Sequence, residues 1–362
     1  MSVVFMPESD PPRWTDRAGL TLLDLLVATC VALATIAAVG MALPPVLDVA
    51  RAVPEATDLQ QRARATEVVL AGLIGSAGAG ADLLGHGPLP QAVPAVWPRR
   101  VLVGADAPDT AWADRLSLWQ VEARAAQAPV ASAIAAGTQS VSIVWHPACG
   151  THPSCGFRPR DLVLVHGRNG AMVVTSLADV QGLLLTLATP PDQTIDLPAT
   201  AAALTARTLS LDAARRQLRR ADDDGTWQPV TDDVVGMRVR YYGNAAAPRW
   251  PAVPGVDTCA VAADGLPKLG LLGPVPGPPV ELTAADFIDG PWCGSGRWRF
   301  DADLLRVTAV RVALRLQASS AAVRGASVEW FAQPGEARRA GQEVRDVELD
   351  VFVAAPNLSR AQ

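Results

Sequence analysis

Four side chains able to bind a metal fall three residues apart in the run His146-Pro147-Ala148-Cys149-Gly150-Thr151-His152-Pro153-Ser154-Cys155. Two imidazoles and two thiolates make a zinc-ligand set, so the spacing offers a tetrahedral site. The same cysteines offer a second chemistry, a Cys149–Cys155 disulfide. Pro147 and Pro153 put the run in a loop, and a disulfide closing that loop is the simpler account. Cys259 and Cys293 flank a Pro- and Gly-rich segment. Bridging them would remove unfolded-state entropy worth roughly 4 kcal/mol, against about 2 kcal/mol for the shorter loop. The remaining cysteine, Cys30, lies in an apolar run. An even number outside that run suits an oxidising compartment. Disulfides at Cys149, Cys155, Cys259 and Cys293 are therefore expected, and no metal.

Asp222-Asp223-Asp224-Gly225 is the other candidate ion binder. It lacks the ligand spacing of a known calcium loop and reads as a solvated turn. A catalytic site needs a nucleophile beside a base, paired acids or a metal. His86 and His166 stand in ordinary settings, with no nucleophile elbow, phosphate loop or zinc-protease pattern. The expectation is a non-enzyme without a cofactor. A net charge of −5 over 362 residues advertises no basic surface, so no nucleic-acid partner is expected. The tryptophans are scattered; most are expected in the core, with Trp250 and Trp292 as candidates for exposed anchors.

The elements that must position these groups begin with one apolar stretch. From Leu20 to Leu43 the sole formal charge is Asp24. About 20 apolar residues suffice to span a bilayer core as a helix. An acid at the middle of such a helix costs roughly 2.5–3.5 kcal/mol. Near the helix start the cost is smaller, and the helix dipole favours an anion. Residues 1–18 contain Pro11, Pro12, Arg13 and Arg17, show no periodicity, and read as a segment to be removed. Arg13 and Arg17 before the run are balanced by Arg51, Arg62 and Arg64 after it, so charge alone does not orient the helix. Pro44-Pro45, and again Pro54, are expected to kink or interrupt it. Beyond them Leu59, Ala63, Leu70, Leu73 and Ile74 recur at helical spacing, with Gln60, Arg62, Arg64 and Glu67 between them. That pattern predicts an amphipathic helix, ended by Gly72, Gly75, Gly78 and Gly80.

The stretch Gly19-Leu20-Thr21-Leu22-Leu23-Asp24-Leu25-Leu26-Val27-Ala28 resembles the prepilin signature shared by type IV pilins and type II secretion pseudopilins. The resemblance implies cleavage after Gly19 by prepilin peptidase, N-methylation of Leu20, and a role for Asp24 in subunit assembly. Leu20 stands where the family usually has Phe, and Asp24 where it usually has Glu. Cutting before Leu20 would create an α-amino cation one turn above Asp24. Paired within one chain or between staggered chains, the two charges offset each other's burial. An ordinary signal anchor, or a secretory signal cut near Ala42, is the competing account. Three further pieces, Asp161-Leu162-Val163-Leu164-Val165, Gln217-Leu218-Arg219-Arg220 and Val239-Arg240-Tyr241-Tyr242-Gly243, are similar to those of PilW-like minor pilins.

From Arg99 onward, β-prone runs alternate with Gly, Pro and Asp: residues 115–121, 140–145, 161–165, 171–176, 183–187, 234–242, 310–316 and 347–353. The last two are expected to pair, setting Arg311 and Arg315 against Glu348 and Asp350 for roughly 0.2–1 kcal/mol per contact. Residues 212–220, rich in Arg, fit a helix face or a hairpin. The expected fold class is α+β: a long N-terminal transmembrane and amphipathic helix packed on a mostly antiparallel β-sheet head, pilin-like. The divisions are a leader over 1–19, a transmembrane helix over 20–46, an amphipathic helix over 47–80 and a β-rich extracytoplasmic domain over 81–362. The expected protein is a minor pilin or pseudopilin, single-pass in a bacterial inner membrane with its C-terminal domain in the periplasm. It would stand at the tip or initiation complex of a type IV pilus or type II secretion pseudopilus. Its partners would be prepilin peptidase, related pilins or pseudopilins and the inner-membrane assembly platform. The alternative is a membrane-anchored adhesin or substrate-recruiting module that uses the 259–293 loop.

Overall fold

The computed structural model describes residues 21–80, 93–102, 104–167, 171–223, 225–244, 280–337 and 343–359. The chain divides into two units, Met1–Val53 and Pro54–Gln362. Helix α1 (Leu22–Gly75) begins in the first and ends in the second. In the first unit, Leu22–Leu43 has a mean hydropathy of 2.4 and none of it is buried, so it is long and apolar enough to cross a membrane. Thr29 and Thr35 turn their hydroxyls back onto the carbonyls of Leu26 (2.9 Å) and Ala32 (2.8 Å). The helix thus satisfies its own polar side chains, as an apolar medium requires. The interruption expected at Pro44-Pro45 and Pro54 does not occur: the helix runs through all three positions. A proline removes only its own donor, so a long helix can continue past one.

In the second unit, Leu59, Ala63, Leu70 and Ile74 form the buried stripe of α1, with Thr66 on the same face. Each buried Leu or Ile contributes about 1.5–3 kcal/mol. Two polar ties hold the start of this half. Glu55 accepts from the Ser319 backbone N–H (3.0 Å), and Arg62 donates to the carbonyls of Asp232 (2.9 Å) and Gln317 (3.2 Å). At the other end the Gly75 carbonyl accepts from Asn357 Nδ2 (3.3 Å). Gly80 then has no room for a side chain: its φ is +96°, and a Cβ would fall 2.1 Å from the Val121 carbonyl oxygen. That close approach lets the Val121 N–H reach the Ala79 carbonyl at 2.8 Å.

One sheet has the spatial order β1 (Val96–Trp97), β2 (Arg115–Gln120), β9 (Thr205–Asp212), β10 (Gln217–Ala221) and β11 (Trp227–Asp232). A second has the order β13 (Val280–Leu282), β12 (Val234–Gly243), β16 (Val307–Leu316) and β17 (Val347–Ala354). β14 (Trp292–Cys293) and β15 (Phe300–Asp301) form a ribbon. Every expected strand is present. The last two pair as expected, with Arg315 opposite Glu348 and Arg311 bound to Asp350. Residues 212–220 make the β9–β10 hairpin rather than a helix. Trp97, Trp119, Trp298 and Phe300 are buried side by side, with ring centroids 4.8 Å apart for the first two. Trp112, Trp145 and Trp330 are exposed instead. Trp292 is half-buried, and Trp250 lies outside the described residues.

The third sheet runs β3 (Gln127–Pro129), β8 (Ala199–Ala203), β5 (Leu162–Gly167), β6 (Met172–Gln181), β7 (Leu184–Leu187) and β4 (Ser140–Ser142), all antiparallel. Its outer strands meet. Val130 bridges Ile143, and the Ala131 and Val144 N–H groups donate to the carbonyls of Ser142 and Pro129, both at 2.8 Å. The sheet therefore closes into a six-stranded barrel. Val130, Val141, Ile143, Val163, Val165, Val173, Leu185 and Leu187 alternate inward to fill it, and the small alanines of β8 fit its narrow interior. The barrel lies wholly between β2 and β9, whose facing ends Gln120 and Thr205 are paired. It is an excursion from the tip of one hairpin.

Candidate functional site

The N-terminal end of α1 is organised by its first turn. Thr21 precedes the helix and its carbonyl accepts the Leu25 N–H (3.2 Å). Its hydroxyl accepts from the Asp24 N–H (3.2 Å). In return Asp24 Oδ2 accepts from the Thr21 N–H (3.1 Å) and hydroxyl (2.7 Å). This reciprocal pair is a capping box, which satisfies donors that the first turn leaves open. The exposed carboxylate directs both bonds through Oδ2, so Oδ1 is left for a further cation or donor. Gly19 and Leu20 lie outside the described residues. Sequence reasoning singles out Asp24 and misses Thr21, although the Thr-x-x-acid spacing is the signal that finds it.

Cys149 and Cys155 are joined by a disulfide, with Cα atoms 4.1 Å apart. Both sulfurs are thereby withdrawn from metal binding, which overturns the zinc alternative for the His146–Cys155 spacing. The Cys149 sulfur accepts instead from the His146 backbone N–H (3.3 Å). The bridge and Phe157 are buried in the barrel core, so the linkage holds a loop against the barrel. Cys293 is also disulfide-bonded and buried; its expected partner, Cys259, lies outside the described residues. Cys30 is free and exposed on the apolar helix.

Asp222 pairs with Arg220 (3.0 Å) and Arg207 (3.7 Å) at the turn between β10 and β11. A different acidic group, which the sequence does not mark because its members are spread over fifteen residues in unlike elements, is Asp289, Asp301 and Asp303, with carboxylate oxygens within 4.8 Å of one another. Its two buried members have structural work. Asp301 accepts from the Gly290 (2.6 Å) and Asp303 (2.9 Å) N–H groups, and Asp303 pairs with buried Arg306 at 3.0 Å. Burial raises the Asp303 carboxyl to about 6, against the pull of Arg306.

Neither a family model, nor a curated protein, nor a solved structure matches this chain.

Proposed function

We propose that the protein is a prepilin-type subunit, a minor pilin or pseudopilin held in a bacterial inner membrane by α1 with its head in the periplasm. Prepilin peptidase would cut after Gly19 and methylate Leu20. The anchor would then lie beside those of related subunits on the inner-membrane assembly platform. The observation that carries this reading is the top of the helix: an uncovered apolar span whose one carboxylate, Asp24, sits in its first turn, four residues beyond Leu20. A new amine at Leu20 of the same or a neighbouring chain would meet that carboxylate, and in an apolar medium each charge needs the other. The bulk of the head favours the tip or initiation complex of a type IV pilus or type II secretion pseudopilus over a repeating position.

Mass spectrometry of the membrane-extracted protein tests this directly. The expected N-terminus is methyl-Leu20. An intact Met1, or a start near Leu43, would remove the proposal. A second reading, a membrane-anchored adhesin or recruiting module, draws support from the barrel. An insert whose chain enters and leaves through the adjoining strands β2 and β9 could meet a ligand without engaging the apolar span of α1. Deleting residues 259–293 and measuring retention and ligand capture separates the loop form of that reading from a barrel form.

A further inference from the structure

On the outward face of the second sheet, β12, β16 and β17 set their side chains in rows. Arg240 stands opposite Arg311, Arg238 opposite Ala313, and Gly236 opposite Arg315. Beyond them on β17, Asp350 faces Ala313 and Glu348 faces Arg315. Gly236 and Ala313 rise little above the backbone, so a trough of about 450 Å³ lies between their longer neighbours. Four arginines and two carboxylates line it, on a chain whose net charge is −5.

The arginines are of two kinds. Arg311 is held by Asp350, and Arg315 by Asp346 at 2.5 Å. Arg240 pairs loosely with Glu281, at 3.8 Å, and faces the like charge of Arg311. Arg238 makes no hydrogen bond or ion pair among the described residues and is exposed. Like charges directly opposite on a sheet are destabilising. Arg238 is unpaired among the described residues and Arg240 is only loosely paired, and a bound anion would use both.

We propose that this trough recognises an acidic, extended peptide segment of a partner protein. Arg238 and Arg240 are alternate residues of one strand, so their guanidinium groups rise from the sheet roughly 7 Å apart. Alternate acids of an extended peptide repeat at that same interval, and each guanidinium can take a carboxylate in a bidentate fork. Glu348 and Asp350, on the far strand, can accept the backbone N–H groups of the same segment. Among the described residues no aromatic side chain lines the trough, whereas single-stranded nucleic acid is held by stacking its bases on aromatic rings. Across β12 a hollow of about 350 Å³ shares Arg238 and Arg240 and is lined by Trp112 and Phe287. Arg115 already lies over the Trp112 ring at 4.3 Å, so the hollow offers a seat for an apolar residue of the same segment more than for a stacked base. Recognition at the trough does not depend on how the N-terminus is processed.

The test uses the full-length protein in non-ionic detergent and a fluorescein-labelled oligoglutamate peptide, read by fluorescence anisotropy. Saturable binding is expected, weakening as salt rises. The double variant R238E/R240E should lose at least about tenfold in affinity, and Arg238→Gln alone a smaller factor. Glu at position 240 would face Arg311, so the unfolding midpoint should hold. The proposal fails if wild-type protein does not bind the peptide, or if R238E/R240E binds it equally well. It also fails if a labelled oligothymidylate of equal length binds more tightly through the same two arginines. Should the double variant not fold, Arg238→Gln decides, and an unchanged affinity there overturns the proposal.

Discussion

The barrel and the body that carries α1 are both antiparallel β-structure, yet they keep their charges in different places. Among the described residues no ion pair falls within 121–204, and the barrel interior is Val, Leu, Ile and Ala around one disulfide. The body buries Arg99, Asp233, Asp301, Asp303, Arg306 and Arg324. The difference follows from how each region ends its sheets. A closed barrel pairs its backbone all the way round and has no edge to satisfy. The body has open sheet ends and irregular connections whose carbonyls need donors. Arginine supplies them: Arg99 donates to the carbonyls of Ala107 (2.9 Å) and Arg299 (2.6 Å), Arg306 to that of Asn244 (3.0 Å) and Arg324 to that of Gln333 (3.2 Å). Burial lowers the Arg99 guanidinium to about 10, so it remains charged at neutral pH. In this chain arginine inside the fold marks where the backbone could not finish its own pairing.

If that contrast holds, the body should be most vulnerable at a buried charge. Arg306→Ala strands Asp303 without its partner and should cost about 3–5 kcal/mol in urea unfolding; a loss below about 1 kcal/mol would erase the distinction. The barrel should answer instead to lost volume. Leu185→Ala is expected to cost about 2–5 kcal/mol, with faster amide exchange confined to residues 121–204. Spread of that exchange along β2 and β9 would show that barrel and body open together. The smallest effect is a pH slope. The folded Asp303 carboxyl is raised from 3.8 to about 6, so the folded state holds this proton at pH values where the unfolded chain has released it. Its contribution to stability therefore declines as pH rises between those values and is level above them. Asp303→Asn should remove that decline relative to wild type, and parallel pH–stability curves for the two proteins would contradict it.

Much of the body is legible in the residue order alone. Alternation in 310–316 and 347–353 foretells both the pairing and the Arg311–Asp350 contact, because period-two patterning and cross-strand charge are local properties. The stripe Leu59, Ala63, Leu70, Ile74 is legible for the same reason. The short Cys149–Cys155 loop announces its own disulfide. What escapes is non-local. The barrel depends on Val130 meeting Ile143 across a turn-rich excursion, and on β8, an alanine-rich strand of low intrinsic β preference. The β9–β10 hairpin is ambiguous in sequence because its arginines fit either periodicity; the ion pairs of Asp212 with Arg215 (2.8 Å) and Arg219 (3.6 Å) belong to the hairpin. The trough is invisible to pattern reading because two small residues on neighbouring strands make it, rather than a motif.

The pairing of Gln120 with Thr205 carries one more implication. Since the chain leaves and returns through adjoining strands, the stretch between them is expected to be replaceable. A short turn, or a different module altogether, can occupy that socket without altering the register of the stem. The exchange would also remove the hydrogen bond that Ser295 donates to Asp192, the cost against which the gain in simplicity would be weighed.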